Sequence, residues 1–198
     1  MSTTRERLLK AALKVFSQKG YRGATTRAIA REAGVNEVTL FRHFGAKQHL
    51  FTEIIATFSA IPHIEEVRAK TKVSFETRLR DLSDHVLEIL QARRDLIALL
   101  LSEGPRRGRQ ARIILESGPG QVLRHLSRWF AEARSTGAIR RDLDPECAAR
   151  AFMGMFFMYV VLQQILPGDQ VFPVDPDEAK RTFNKIFLRG ALPRGKKR

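Results

Sequence analysis

One cysteine, Cys147, stands in a chain of 198 residues, so no intramolecular disulfide, zinc ribbon or dithiol redox motif can form. A chain of this size with a single thiol suits a reducing cytosol. The five histidines, His43, His49, His63, His85 and His125, include no H-E-x-x-H pair, and the glycines build neither G-x-S-x-G nor a phosphate loop. No catalytic machinery, cofactor or metal site is therefore expected, and an enzyme stays only as a remote alternative. The N-terminus carries charges throughout its first helix-like stretch and lacks an apolar signal core. The most apolar segment, 151–166, is shorter than a bilayer requires and contains Gln163 and Gln164, so it reads as a buried helix. A cytoplasmic protein without a membrane partner is expected. Strand-like alternation is also missing, and nearly every apolar run follows helical spacing, so the fold class is all-α.

Positive charge is abundant and unevenly placed. Residues 1–50 hold ten Lys or Arg against three acidic residues, 51–188 hold twenty against eighteen, and 189–198 add five more basic residues. An excess on the folded N-terminal part suits a polyanion such as double-stranded DNA. The last residues, 191–198, read as a basic disordered tail because Pro193 and Gly195 interrupt them.

About nine helices are expected. Leu9, Leu13 and Phe16 mark the first, stopped by Gly20, and Thr25 or Thr26 caps the second, which buries Ile29, Ala30 and Ala33 and ends at Gly34. Asn36 caps a third through about His43, with Leu40 inward beside Phe44. A fourth runs from Lys47 with Leu50, Phe51, Ile54, Ile55 and Phe58 inward, and is broken or kinked near Pro62. Beyond it, Phe75 to Leu90, Arg94 to Ser102, Pro119 to Ser135, Pro145 to Leu166 and a helix after Asp175 complete the set. PRRGRQAR, from Pro105, reads as a loop or the exposed start of a short helix, and Asp175 to Glu178 has capping-box spacing. The expected division is residues 1–62, residues 63–190, and the tail.

Residues 24–44, ATTRAIAREAGVNEVTLFRHF, place two short helices around a glycine turn, which is helix-turn-helix geometry over about 25–44. The first helix must brace the second so that one face of the second can enter a major groove. Ile29, Ala33, Val35, Leu40 and Phe44 supply the brace, leaving Glu37, Val38, Thr39, Arg42 and His43 outward. Glu37 has two readings, a solvated charge near a helix N-terminus or an acceptor from cytosine N4.

Ala24, Thr25, Thr26, Ile29, Ala30, Ala33, Gly34, Val35, Thr39, Leu40, His43, Phe44, Lys47 and Leu50 follow a family hallmark, and the chain resembles TetR-type transcriptional regulators across about residues 2–62. The resemblance implies a sequence-specific repressor on a pseudo-palindromic operator. It implies DNA contacts from Thr25, Thr26, Arg27, Asn36, Glu37, Val38, Thr39, Phe41, Arg42, His43 and Lys47. Thr26, Thr39 and Lys47 would touch phosphates, while Glu37, Val38, Arg42 and His43 would lie near base edges. Phe41 departs from the usual tyrosine and loses a hydrogen bond to phosphate, Val38 replaces a frequent glycine, and Ala46 stands where a serine cap is common.

The helix from Pro145 is apolar on more faces than one core can cover, which calls for a second copy. Phe152, Phe156, Phe157, Val160 and Val161, with Phe183, Ile186 and Phe187, are the expected homodimer face, where the family forms a symmetric four-helix interface. By resemblance, an apolar or aromatic effector would sit among the middle helices, lined by Phe75, Leu82, Trp129, Phe130, Met155 and Tyr159. A ligand-insensitive or activating regulator of the same fold is the alternative.

Overall fold

The computed structural model describes residues 3–57, 60–103, 112, 115, 116 and 118–193. Among these residues the chain has no strand. It forms α1 (Thr4–Gly23), α2 (Thr26–Glu32), α3 (Glu37–Phe44), α4 (Lys47–Thr57), α5 (Ile61–Ala69), α6 (Phe75–Ala92), α7 (Arg94–Glu103), α8 (Pro119–Ser135), α9 (Pro145–Val160), α10 (Gly168–Val171) and α11 (Pro176–Ala191). The all-α expectation holds, and among the described residues eleven α-helices stand where about nine were expected, because α4 and α5 are separate helices and α10 is a single turn. Expectations for Phe58, for 105–111 and for the tail beyond Pro193 lie outside the described residues.

Local chemistry explains most boundaries. Thr3 and Glu6 form a reciprocal capping box at α1, each side chain 3.2 Å from the other's backbone nitrogen. At Asp175 only half of the expected box exists. Asp175 accepts from the Glu178 amide at 2.9 Å, whereas the Glu178 carboxylate turns forward to Arg181 and Thr182. Gly20 interrupts α1 with φ 67°. Asp144 caps α9 through the Cys147 amide at 2.7 Å, with Pro145 in the first turn.

Two compact units result, residues 1–59 with 95–119, and residues 60–94 with 120–198. The first unit thus takes in a segment that lies well beyond residue 62 in the chain. Its core joins Leu8, Ala12 and Phe16 of α1, Ile29 of α2, Leu40 and Phe44 of α3, and Leu50, Phe51 and Ile54 of α4, with Leu96 and Leu99 of α7 added. Phe16 meets Phe51 edge-on at 5.2 Å.

In the second unit, α6 packs on α5, α9 and α11. Its core is aromatic: Phe75, Trp129 and Phe130 lie within 5.9 Å of one another by ring centroid, and Phe152 and Phe187 extend the cluster. The Ser83 hydroxyl, 2.6 Å from Asn184 Oδ1, is a buried polar pin between α6 and α11. The rod begun by α9 continues as a π-helical turn, Val161–Ile165. Pro145–Ile165 spans 21 residues, close to the expected Pro145 to Leu166, and is sufficient by length and composition alone to cross a bilayer, a test that the core helix of a folded domain also passes; 39% of its most apolar window is buried within the chain. Gln163 does not interrupt the rod, because its amide donates to the Phe172 carbonyl and accepts from the Val174 amide. 

Burial corrects part of the expected dimer face. Phe152, Phe156 and Val160 have no accessible surface and Phe187 has almost none, so they have nothing left to bury against a second copy.

Arg68 of α5 forks between Glu132 of α8 and Glu65 of its own helix, and Glu65 also meets His125 of α8. The hydrogen bond from His125, with Arg68 behind it, holds the Glu65 carboxyl below its usual 4.5. A carboxylate with a depressed value contributes stability that is complete above the unfolded value and lost as pH falls through the folded one. Glu65→Gln is therefore expected to lower Tm at neutral pH and to converge on the wild type in acid; equal Tm values at neutral pH would remove Glu65 from this role.

Candidate nucleic-acid interface

The turn between α2 and α3 is held from three sides. Gly34 has φ 65°, a left-handed conformation that costs other L-residues about 1–2 kcal/mol. A Cβ there would also stand 2.9 Å from Arg7 Nη2. Arg7 of α1 donates to the carbonyls of Ala33 at 2.5 Å and Gly34 at 3.3 Å, and the Val35 amide returns to the Ala30 carbonyl at 3.0 Å. Asn36 Oδ1 then accepts from both the Thr39 amide, at 2.8 Å, and the Thr39 hydroxyl, at 2.9 Å. Arg5 adds a further contact beneath α3, its guanidinium 5.4 Å from the centre of the Phe44 ring.

With Leu40 and Phe44 buried, the other face of α3 is open. Val38 is 74% exposed and Phe41 45% exposed, and Arg42 and His43 are exposed beside them. Glu37 and Thr39 are half-buried. Next to this face, Lys19, Thr25, Arg27, Arg31, Asn36 and Glu37 line a surface depression. Lys19 and Arg31 were not singled out from the sequence. Arg31 was legible as the i+4 neighbour of Arg27, whereas Lys19 joins them only through the packing of α1 on α2.

Three polar groups expected on phosphates make hydrogen bonds within the first unit. The Thr26 hydroxyl donates to the Glu37 carboxylate and ties α2 to α3. The Thr39 hydroxyl donates to Asn36. The Lys47 ammonium donates to the carbonyls of Tyr21 and Ala24, both at 2.9 Å, and lies 4.5 Å over the Tyr21 ring. Lys47 thus closes the end of α1 onto the start of α4. Its position at a helix N-terminus, unfavourable against the helix dipole, is explained by those two carbonyls. Thr25 acts as the α2 cap, its oxygen accepting from the Ala28 amide at 3.1 Å.

Chemically, the surface offers guanidinium and ammonium groups suited to phosphates, a flexible Arg42 suited to a guanine edge, and apolar Val38 and Phe41 suited to thymine methyl groups. Gly34→Ala should destabilise the protein by about 1–2 kcal/mol in denaturant melts, from the left-handed backbone alone. Lys47→Met is expected to cost stability as well as DNA affinity, roughly 1.5–3 kcal/mol for charge-assisted hydrogen bonds. Unchanged melting with weakened DNA binding would instead make Lys47 a phosphate contact alone.

Residues 8–54 match the family model described as bacterial regulatory proteins of the tetR family. Residues 77–188, more than half of the chain, match the C-terminal domain of AefR-like transcriptional repressors. The HTH-type transcriptional regulator YvkB of Bacillus subtilis is 27% identical over 190 residues, covering 96% of this chain and 98% of its own. Among solved structures, the fatty acid degradation regulator FadR from Bacillus halodurans superposes with a TM-score of 0.73 at 21% identity, covering 93% of this chain and 97% of its own. The Flavonoid-responsive Regulator FrrA superposes with a TM-score of 0.63 at 24% identity, covering 97% and 98%. A braced helix-turn-helix with an open α3, a helical C-terminal unit and matches to both halves lead to one conclusion: the chain belongs to the TetR family of DNA-binding transcriptional regulators.

Proposed function

We propose that the protein is a homodimeric repressor that reads a pseudo-palindromic operator with α3 of each protomer and is released by a small apolar or aromatic effector. The observation that carries the operator reading is the open face of α3, where large apolar side chains and a free-reaching arginine stand on a short helix whose other side is buried. Arg42, Val38, Phe41 and His43 read bases, and Lys19, Arg27 and Arg31 hold the backbone. Thr26, Glu37 and Lys47 serve as the frame that sets their register.

The dimer reading rests on what the second unit leaves uncovered. Ala151, Gly154 and Met158 of α9 and Val161 of the π-helical turn follow one another along the rod at helical spacing, and Met158 is 50% exposed. Ile186 of the adjacent α11 is 58% exposed, with Phe157 and Phe183 half-buried nearby in the chain. A Cβ on Gly154 or Gly190 would meet nothing within 4 Å, so both glycines leave room for a second helix to approach. A two-fold axis through this face would give two reading heads.

Support for an effector comes from Trp129, whose indole nitrogen is buried with no hydrogen-bond partner among the described residues, as is Nε of Arg78, whose guanidinium lies 5.5 Å from that ring. Unsatisfied buried donors are costly, about 1–3 kcal/mol each, and a ligand oxygen would recover that cost. The rings of Phe75, Trp129 and Phe130 fill the space around them, so such a ligand enters by displacing side chains. A structural neighbour is by name flavonoid-responsive, which fits an aromatic ligand.

Selection of bound duplexes from a random pool supplies the operator for the tests. Arg42→Ala should weaken binding to it by about 1–3 kcal/mol and relax preference at one base pair, whereas Arg31→Ala should weaken all duplexes alike and reduce the salt slope by about one. Equal affinity for selected and random duplex would sink the operator reading. Ile186→Glu should convert a sedimenting dimer to monomer, and a wild-type monomer at micromolar concentration would refute the dimer. Operator affinity indifferent to a broad panel of aromatic and apolar small molecules would make the protein a ligand-insensitive regulator.

A further inference from the structure

His63 lies in the first turn of α5, and Asp81 and His85 stand one turn apart on α6. Packing of α5 on α6 brings these three together, with one potential ligand atom from each lying within 4.8 Å of the others. The two imidazoles are stacked, 3.4 Å between ring centres and 17° from parallel, which leaves their ring nitrogens at the edges of the stack.

The tautomers matter most. His85 Nδ1 lies 3.0 Å from the Asp81 backbone carbonyl, one turn earlier on its own helix. His63 Nδ1 lies 3.3 Å from a carboxylate oxygen of Glu66, also on its own helix. Each Nδ1 therefore carries its proton toward an oxygen, and each lone pair is left on Nε2. His63 Nε2 is buried and has no hydrogen-bond partner among the described residues. Histidine ligands of metal ions are oriented in this way, one ring nitrogen held by a carboxylate or carbonyl and the other offered to the ion.

The carboxylates complete the set. The Lys70 ammonium lies 3.1 Å from Asp81 Oδ2 and 2.9 Å from Glu66 Oε1, so it holds one oxygen of each and leaves Asp81 Oδ1 on the side of His85. Asp81 and Glu66 thus share one ammonium beside the two imidazoles. Two imidazoles and a carboxylate suit a divalent transition ion of the zinc, cobalt or nickel kind better than calcium or magnesium, which prefer oxygen alone.

We propose that His63, Asp81 and His85 form a binding site for a divalent transition-metal ion that pins α5 to α6, with Glu66 orienting His63. Nitrogen–metal distances of about 2.0–2.1 Å require the ligand atoms to draw closer than 4.8 Å, which one imidazole achieves by rotating out of the stack. The remaining coordination positions are open to water.

The test uses the full-length chain, stripped with chelator and titrated with Co²⁺ alone, read by d–d absorption and by calorimetry, with Zn²⁺ as competitor. One Co²⁺ per protomer is expected, displaced by Zn²⁺, with a rise in Tm on metal addition. His85→Gln, at a half-buried position, should weaken binding at least tenfold, and His63→Ala should do the same. Glu66→Gln should weaken it by roughly tenfold through the loss of orientation. His125→Gln should leave it intact. No saturable Co²⁺ binding by the wild type, or binding that persists undiminished in folded His85→Gln, overturns the proposal; so does a loss confined to His125→Gln.

Discussion

An eight-residue helix cannot hold itself together in water, and the reading head of this protein depends on the bracing that makes α3 persist. Leu40 and Phe44 anchor one side of it in the first unit's core. Gly34 permits the reversal that brings α3 back across α2, and Arg7 clamps the carbonyls that the reversal exposes. Every outward residue of α3 inherits its position from those contacts. The brace also consumes polar groups: Thr26 with Glu37, Thr39 with Asn36 and Lys47 with Tyr21 and Ala24 are all internal ties. Several residues that look like DNA contacts by pattern are thus also tied within the unit.

The second unit meets a related constraint by a different route. Its longest rod, from Pro145 to Ile165, is apolar on most sides, and the unit's own core takes up Phe152, Phe156 and Val160. What is left is a narrow stripe with small residues at one end and Met158 midway. The aromatic cluster around Trp129 keeps two buried donors without acceptors among the described residues, an arrangement that pure packing would not select.

Much of the helical order was legible because it is written in local chemistry. Asn36, Asp144 and Asp175 each cap the helix that follows, and the glycine turn at Gly34 has the backbone its residue type suggests. The capping box was misplaced, since Asp175 and Glu178 carry the spacing while Thr3 and Glu6 carry the bonds. The helix following Gly168 escaped notice because a single turn has no periodicity to detect. Nothing in the spacing of five scattered histidines suggested that His63 and His85 would stack. Their partnership is created by the register of α5 against α6, and the search for contiguous metal motifs could not see it.

The amino-acid sequence alone determined the helical class, the position of the helix-turn-helix and the identity of the residues that cap and brace it, because these rest on interactions spanning a few residues and on period. Only the tertiary structure decided which polar groups are free to meet a partner, which aromatic residues are already covered, and which distant side chains become neighbours. The reason is that burial and hydrogen-bond commitment are properties of surfaces brought together across the chain: Lys47 is tied to a carbonyl 26 residues earlier, and His63 faces a histidine on another helix.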